Sequence, residues 1–144
     1  MWGSLAPNLN QRFDVVRETG TQMSVVLVVD DRADIAALAA EMVESLGYRV
    51  RTAHSGHEAL KIIQEDTTVG LLFSDVMMPG MNGVQLARAA KKRRPEIGVI
   101  LTSGLIESTI EPTDFDGTPF EFIPKPYRMT ALAQQISRAI GEPA

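Results

Sequence analysis

The feature that most constrains the fold is an alternation of short apolar runs with longer stretches of helical periodicity, which begins at Ser24. The first run, Val25 to Val29, is continuously apolar and rich in β-branched residues, as expected for a central strand buried on both faces. The stretch that follows has apolar residues at helical spacing, and Gly47 ends it as a residue beyond a helix C-terminus would. Repetition of this pair along the chain predicts an α/β fold with a parallel sheet covered by helices.

Five strand and helix pairs can be assigned in this way, and the other predicted strands are Tyr48 to Ala53, Gly70 to Ser74, Val99 to Thr102 and Phe120 to Ile123. The second strand alternates apolar and basic residues, which predicts a half-exposed strand near a sheet edge. Ser55 is predicted to cap the second helix and Pro95 to break the third. Between Leu105 and Pro119 the periodicity weakens, so the fourth helix is predicted to be weak or short.

Composition narrows the class of protein. A chain of 144 residues suits one domain, and we assign residues 24–144 to it. The net charge of −4 argues against direct binding of nucleic acid, which usually requires a basic surface. The absence of cysteine excludes disulfides, thiolate metal sites and a cysteine nucleophile.

The N-terminal region, residues 1–23, shows no sustained periodicity, and we interpret it as an extension or linker. A segment that docks on the domain or on a partner is the alternative. The apolar run nearest the start is too short to span a membrane and lacks the features of a signal peptide. We therefore expect a cytoplasmic protein that does not insert into membranes.

Polar residues stand at, or just after, the carboxyl ends of the first, third, fourth and fifth predicted strands: Asp30 and Asp31, Asp75, Thr102, and Lys125. In open parallel sheets, ligands bind outside the carboxyl ends of the strands, where the strand order reverses. With strand order 2-1-3-4-5, this crevice would lie between the Asp30-Asp31 pair and Asp75. Taken singly, the aspartates could be a helix cap and a turn residue.

Three converging carboxylates are unfavourable unless a cation offsets them, and Mg²⁺ suits such an oxygen-rich site. A carboxylate can also attack a phosphoryl group and form an acyl phosphate. Lys125 offers a positive charge and Thr102 a hydroxyl donor for the phosphoryl oxygens. These residue types in this order predict a site for phosphoryl transfer.

The stretch from Val25 to Ile140 resembles a bacterial response-regulator receiver domain of two-component signalling. The motifs that carry the resemblance are Val28-Val29-Asp30-Asp31, the segment from Ser74 to Gly83, Leu101-Thr102-Ser103-Gly104, and Phe122-Ile123-Pro124-Lys125-Pro126-Tyr127. The resemblance implies a flavodoxin-like, doubly wound sheet of five parallel strands in the order 2-1-3-4-5. The sequence around Lys125 is most similar to that of receivers of hybrid sensor histidine kinases or of single-domain response regulators.

The resemblance also implies roles for individual residues. Asp75 would be the phosphoacceptor, and Mg²⁺ would be held by Asp30, Asp31, Asp75 and the backbone carbonyl of Met77. Lys125 would contact the phosphoryl group, and Thr102 and Phe122 would form the conformational switch. A cis peptide bond is implied before Pro126. Phe122 stands where tyrosine is frequent, so switching by this ring would depend on packing alone.

The expected phosphoryl donor is a histidine kinase or a histidine phosphotransfer protein, and the downstream partner would be another protein. We expect no enzymatic activity beyond the domain's own phosphorylation and dephosphorylation.

Two other functions stay open. A haloacid-dehalogenase-type phosphatase also uses a strand-end aspartate, but it has a second aspartate where this chain has Arg32. A degenerate receiver would act only as a binding module. The basic run from Lys91 to Arg94 is interpreted as a favourable helix C-terminus.

Overall fold

The computed structural model describes residues 23–104 and 120–143. Its elements are, in chain order, β1 (Val25–Val29), α1 (Ala33–Ser45), β2 (Arg49–Ala53), α2 (Gly56–Glu65), β3 (Val69–Asp75), α3 (Gly83–Arg93), β4 (Gly98–Ser103), β5 (Glu121–Pro124) and α4 (Met129–Ile140). Apart from Met23, the predicted N-terminal extension lies outside the described residues. The weak fourth helix predicted between Leu105 and Pro119 also lies outside them.

The five strands form one parallel sheet in the order β2-β1-β3-β4-β5. This is the predicted order 2-1-3-4-5, and it reverses between β1 and β3. A parallel connection requires a crossover, and helices supply it between β1 and β2, between β2 and β3, and between β3 and β4. The carboxyl ends of β1 and β3 therefore lie side by side at the centre of one sheet edge.

Both faces of the sheet are covered, which explains the continuous apolar run in β1. Leu27 and Val29 belong to a core cluster with residues of α2 and α3. Val26 and Val28 point the other way, into a cluster with residues of α1 and α4. Truncating a buried leucine such as Leu27 to alanine typically costs about 2–5 kcal/mol.

The element boundaries differ from prediction by one residue at several ends. β2 begins at Arg49, which pairs with Val25. Tyr48, just before it, is buried, and its hydroxyl donates a hydrogen bond of 2.9 Å to the carbonyl of Gly141. β5 begins at Glu121, which pairs with Ile100, and it continues to Pro124. Strands β3 and β4 each extend one residue further at both ends than predicted.

The predicted helix signals are confirmed. The side chain of Ser55 accepts a hydrogen bond from the amide of Glu58 at the start of α2. α3 ends at Arg93, two residues before Pro95. Gly47, just beyond α1, has a φ of 101°, a conformation that favours glycine. Among the described residues, no helix combines the length and hydropathy needed to cross a lipid bilayer.

Candidate phosphoryl-transfer site

The structure brings the predicted polar residues together at the carboxyl edge of the sheet. Asp30 directly follows β1, Asp75 is the last residue of β3, and Lys125 directly follows β5. Thr102, on β4, is the register partner of Asp75. Asp30 and Asp75 are each only 4% exposed and Thr102 is 5% exposed. Residues distant in the sequence thus form one buried polar cluster.

The carboxylates of Asp30, Asp31 and Asp75 each offer an oxygen, and these oxygens lie within 4.8 Å of one another. Asp30 and Asp75 are buried, whereas Asp31 is exposed. Three hard oxygen donors, open to solvent on the side of Asp31, fit a divalent cation such as Mg²⁺, which keeps part of its water shell. The donor set does not suit a soft metal, because it contains no sulfur or imidazole.

The interpretation of the Asp30-Asp31 pair as a helix cap is wrong. The N-cap position of α1 is Arg32, and this helix end has no side-chain cap. Asp30 instead accepts a hydrogen bond of 2.9 Å from the amide of Arg32 through its Oδ1 atom. The carboxylate is therefore held at the strand end and not on the helix.

Two cationic side chains contact the buried carboxylates. The Nζ atom of Lys125 lies 3.6 Å from Oδ2 of Asp30 and 3.6 Å from Oδ2 of Asp75. The guanidinium of Arg32 lies 3.4 Å from Oδ1 of Asp30 and 3.3 Å from Oδ2 of Asp75. Lys125 was predicted, but Arg32 was missed as a member of the site. Its position next to the Asp30-Asp31 pair was the one available signal.

The pKa values of the two buried carboxylates are shifted in opposite directions. Burial, the largest influence, raises the pKa of Asp30, but hydrogen bonds from Arg32 and the charges of Lys125 and Arg32 together hold this pKa below its usual value. Burial also raises the pKa of Asp75, and the charge of Lys125 and the amide of Met77 offset this only in part. The neighbouring charge of Asp30 adds to the rise. Asp75 is thus the more basic carboxylate of the pair.

The loop after Asp75 is tied back to its strand end. The amide of Met77 donates a hydrogen bond of 3.2 Å to Oδ1 of Asp75. The amide of Gly83 donates to the carbonyl of Val76, and a capping box between Asn82 and Gln85 begins α3. These bonds fix the backbone around the carboxylate. The metal-binding role predicted for the carbonyl of Met77 stays a prediction.

Thr102 has an unusual environment for a buried hydroxyl. Its Oγ1 atom, like the Oγ atom of the adjacent Ser103, has no hydrogen-bond partner among the described residues, although the carbonyl of Thr102 accepts a bond of 2.9 Å from the amide of Val76. A buried donor that no protein group satisfies is available to an acceptor of a bound ligand. The hydroxyl fits a site that receives an oxygen-rich group.

Three further features of the prediction lie in the described part of the chain. The peptide bond between Lys125 and Pro126 is cis, as the resemblance implies. Phe122 is partly buried and packs against the core on the α2 and α3 face, and its switching role stays a prediction. Arg94, in the basic run, donates to the carbonyls of Ile63, Asp66 and Val69. Sequence reasoning missed this bridge between α3 and the segment before β3.

Comparison with known proteins identifies the family to which the chain belongs. Residues 26–137 match the family described as the response regulator receiver domain, and the chain belongs to this family. Receiver domains are signalling modules of two-component phosphorelays, and this chain is one of them.

Individual relatives include both receivers within larger proteins and a separate receiver. The sensor kinase CckA of Brucella abortus is 34% identical over 127 residues, which are 85% of this chain but only 13% of that kinase. The response regulator receiver protein CpdR of the same organism is 25% identical over 82% of this chain and 98% of its own length. A crystal structure of a response regulator receiver domain protein from Clostridium thermocellum has a TM-score of 0.75 at 29% identity, covering 81% of this chain and 94% of that one.

Proposed function

We propose that Asp75 is the phosphoacceptor of this receiver domain, and that its donor is a phosphohistidine of a histidine kinase or phosphotransfer protein. The single observation that carries the proposal is the environment of Asp75. Its carboxylate is buried, and burial raises its pKa. Asp75 is paired in the sheet with Thr102, whose hydroxyl has no hydrogen-bond partner among the described residues, and its Oδ2 atom lies 3.6 Å from the ammonium group of Lys125.

In the reaction, a carboxylate oxygen of Asp75 attacks the phosphorus atom and forms the new P–O bond. The donor imidazole is protonated at its other ring nitrogen, so when the P–N bond breaks and its electron pair stays on the nitrogen, the products are an acyl phosphate on Asp75 and a neutral histidine. The ionised form of Asp75 is required, because a protonated carboxyl group is a poor nucleophile. Later attack of water on the phosphorus returns the free carboxylate and inorganic phosphate.

The chain's other residues position and stabilise the transferred group. Lys125 supplies a positive charge, and Thr102 donates its hydroxyl to a phosphoryl oxygen. Asp30 and Asp31, with Asp75 and the carbonyl of Met77, would hold Mg²⁺. When bound, Mg²⁺ neutralises charge on the carboxylates and the phosphoryl oxygens.

The phosphorylated domain would signal by a local change around Thr102 and Phe122. A new dianion attracts the hydroxyl of Thr102, and Phe122, on the neighbouring strand, would repack in response. A cytoplasmic location and a downstream protein partner belong to the same proposal. The chain itself would catalyse only its own phosphorylation and dephosphorylation.

The test is to incubate the purified chain with a small phosphodonor, with and without Mg²⁺, and to measure its intact mass. We expect an adduct of one phosphoryl group that requires Mg²⁺ and is abolished by Asp75→Asn. Asp34→Asn, which removes an exposed aspartate of α1, is the matched control and should be phosphorylated normally. An adduct that survives Asp75→Asn but is lost in Asp30→Asn would overturn the proposal in favour of the phosphatase chemistry. No adduct on the folded protein would indicate a degenerate receiver.

A further inference from the structure

Arg32 takes part in the acidic cluster through two different carboxylates. Its Nε atom lies 3.4 Å from Oδ1 of Asp30, and a terminal nitrogen lies 3.3 Å from Oδ2 of Asp75. One guanidinium therefore bridges the carboxyl ends of β1 and β3. The planar fork of arginine suits such a bridge, because its donors point in fixed, diverging directions.

The bridge uses the residues that would hold a metal ion. Asp30 and Asp75 are two of the three aspartates whose oxygens lie within 4.8 Å of one another. A cation between these carboxylates relieves their mutual repulsion, and the guanidinium supplies one such charge. A divalent ion and the guanidinium would therefore compete for the same pair of carboxylates.

The side chain of Arg32 is free to leave, whereas its backbone is fixed. The side chain is 56% exposed, so the guanidinium can turn into solvent without disturbing the fold. The amide of Arg32 holds Oδ1 of Asp30 at 2.9 Å whatever the side chain does. The side chain of Lys125, by contrast, is only 23% exposed, and its Nζ atom lies 3.6 Å from both Oδ2 atoms. Arg32 is thus the displaceable cation of the two.

We propose that Arg32 is an internal competitor of the divalent cation, which occupies the acidic cluster of the metal-free protein and sets the metal concentration at which the cluster fills. The inference rests on the proposed function, because it concerns the metal that supports phosphorylation of Asp75. By this mechanism the domain responds to free Mg²⁺ less readily than its three carboxylates alone would.

The expected effect is moderate, because individual pairs between carboxylates and a half-exposed arginine are weak. Arg32→Gln removes the charge and keeps a polar side chain, and it should tighten divalent-cation binding about three- to tenfold. Arg32→Lys keeps the charge but loses the fork, and its affinity should lie between those of the wild type and Arg32→Gln.

The experiment uses the full chain without any phosphodonor. Mn²⁺ is the probe, since the spectrum of free Mn²⁺ in electron paramagnetic resonance is lost on binding, and Mg²⁺ is then titrated in as a competitor. Arg51→Gln is the matched control, because it removes an arginine from another half-exposed ion pair, with Asp66, which precedes β3 at the opposite end from Asp75. Its affinity should stay within twofold of the wild type.

The outcomes separate this inference from the proposed function. Asp30→Asn should abolish binding of Mn²⁺. If it does, the role of Arg32 is overturned when Arg32→Gln changes the affinity for Mn²⁺ by less than threefold or weakens it. An equal change in Arg51→Gln would overturn it as well. If wild-type binding does not depend on Asp30, the magnesium site itself is wrong. Thermal unfolding checks each variant, and Arg32→Met, neutral and of similar length, decides the question if Arg32→Gln does not fold.

Discussion

The Nζ atom of Lys125 lies at the same distance, 3.6 Å, from the Oδ2 atoms of Asp30 and Asp75. One partly buried ammonium thus balances two buried carboxylates that lie at the carboxyl ends of different strands. In the phosphorylated domain, the same charge would face the phosphoryl oxygens. Lys125 therefore has a structural effect before phosphorylation and a chemical effect during it.

Lys125→Met separates these two effects. Without phosphodonor or divalent cation, we expect a loss of about 1–3 kcal/mol in the free energy of unfolding, because two buried carboxylates lose a shared cation. The rate of adduct formation should fall about tenfold or more. Urea denaturation and intact-mass time courses measure the two quantities. Lys61→Met, on the exposed side of α2, is the control, and equal losses in that variant would contradict the prediction.

Asp75→Asn should stabilise the metal-free protein. Because burial raises the pKa of Asp75 above the ordinary value of 3.8, its ionised form costs stability at neutral pH, and this cost is absent below that value. We expect the variant to be more stable by about 1 kcal/mol at pH 7. The difference should shrink as the pH falls through the raised pKa. Denaturation of both proteins between pH 7 and pH 4 tests this, and a difference that grows on acidification would refute it.

Thr102 offers a test of the unbonded hydroxyl. In Thr102→Val the shape is retained and the unpaired donor is removed, so the resting protein should be as stable as the wild type or more stable by up to about 1 kcal/mol. The changes that phosphorylation causes in the amide resonances of the NMR spectrum should be smaller, because no hydroxyl moves toward the phosphoryl group. Thr102→Ser should retain them. A Thr102→Val variant that is strongly destabilised would show that the hydroxyl already has a partner.

Gly83 is packed against the strand end that carries the phosphoacceptor. A Cβ atom at this position would collide with the carbonyl oxygen of Asp75 and lie 2.8 Å from Cα of Val76. Gly83→Ala should therefore destabilise the fold by about 2 kcal/mol or more and slow phosphorylation of Asp75. Gly80, in the same loop, has a φ of 72° and no atom near its missing Cβ. Gly80→Ala should cost only about 1 kcal/mol, and urea denaturation of both variants gives the comparison.

Arg94 is predicted to matter for stability alone. Its guanidinium donates to three carbonyls around the end of α2 and the start of β3, and a lysine cannot reproduce that set. Arg94→Lys should cost about 1–3 kcal/mol and leave the phosphorylation rate per folded molecule unchanged. Arg93→Lys, one position earlier, is the control. A normal melting temperature in Arg94→Lys would contradict the assignment.

Most of the fold and the central part of the site followed from the sequence, because both depend on strands that are buried on two faces. A continuous apolar run identifies such a strand, and the polar residue that ends it must lie at the carboxyl edge. Asp30, Asp75 and Thr102 were found in this way. Arg32 and Arg94 were not, since the reach of a long cationic side chain depends on tertiary geometry that leaves no periodic signal.

The position of β3 between β1 and β4 has a consequence for motion. Its backbone amides are buried along the whole strand, so they should exchange with solvent only when the entire domain opens. β5, at the margin of the sheet, can open at lower free energy. Among the described strands, Asp75 thus ends a central, fully buried one, while Lys125 follows one at the margin of the sheet. The acceptor can keep its place during each cycle of modification while the cation beside it adjusts.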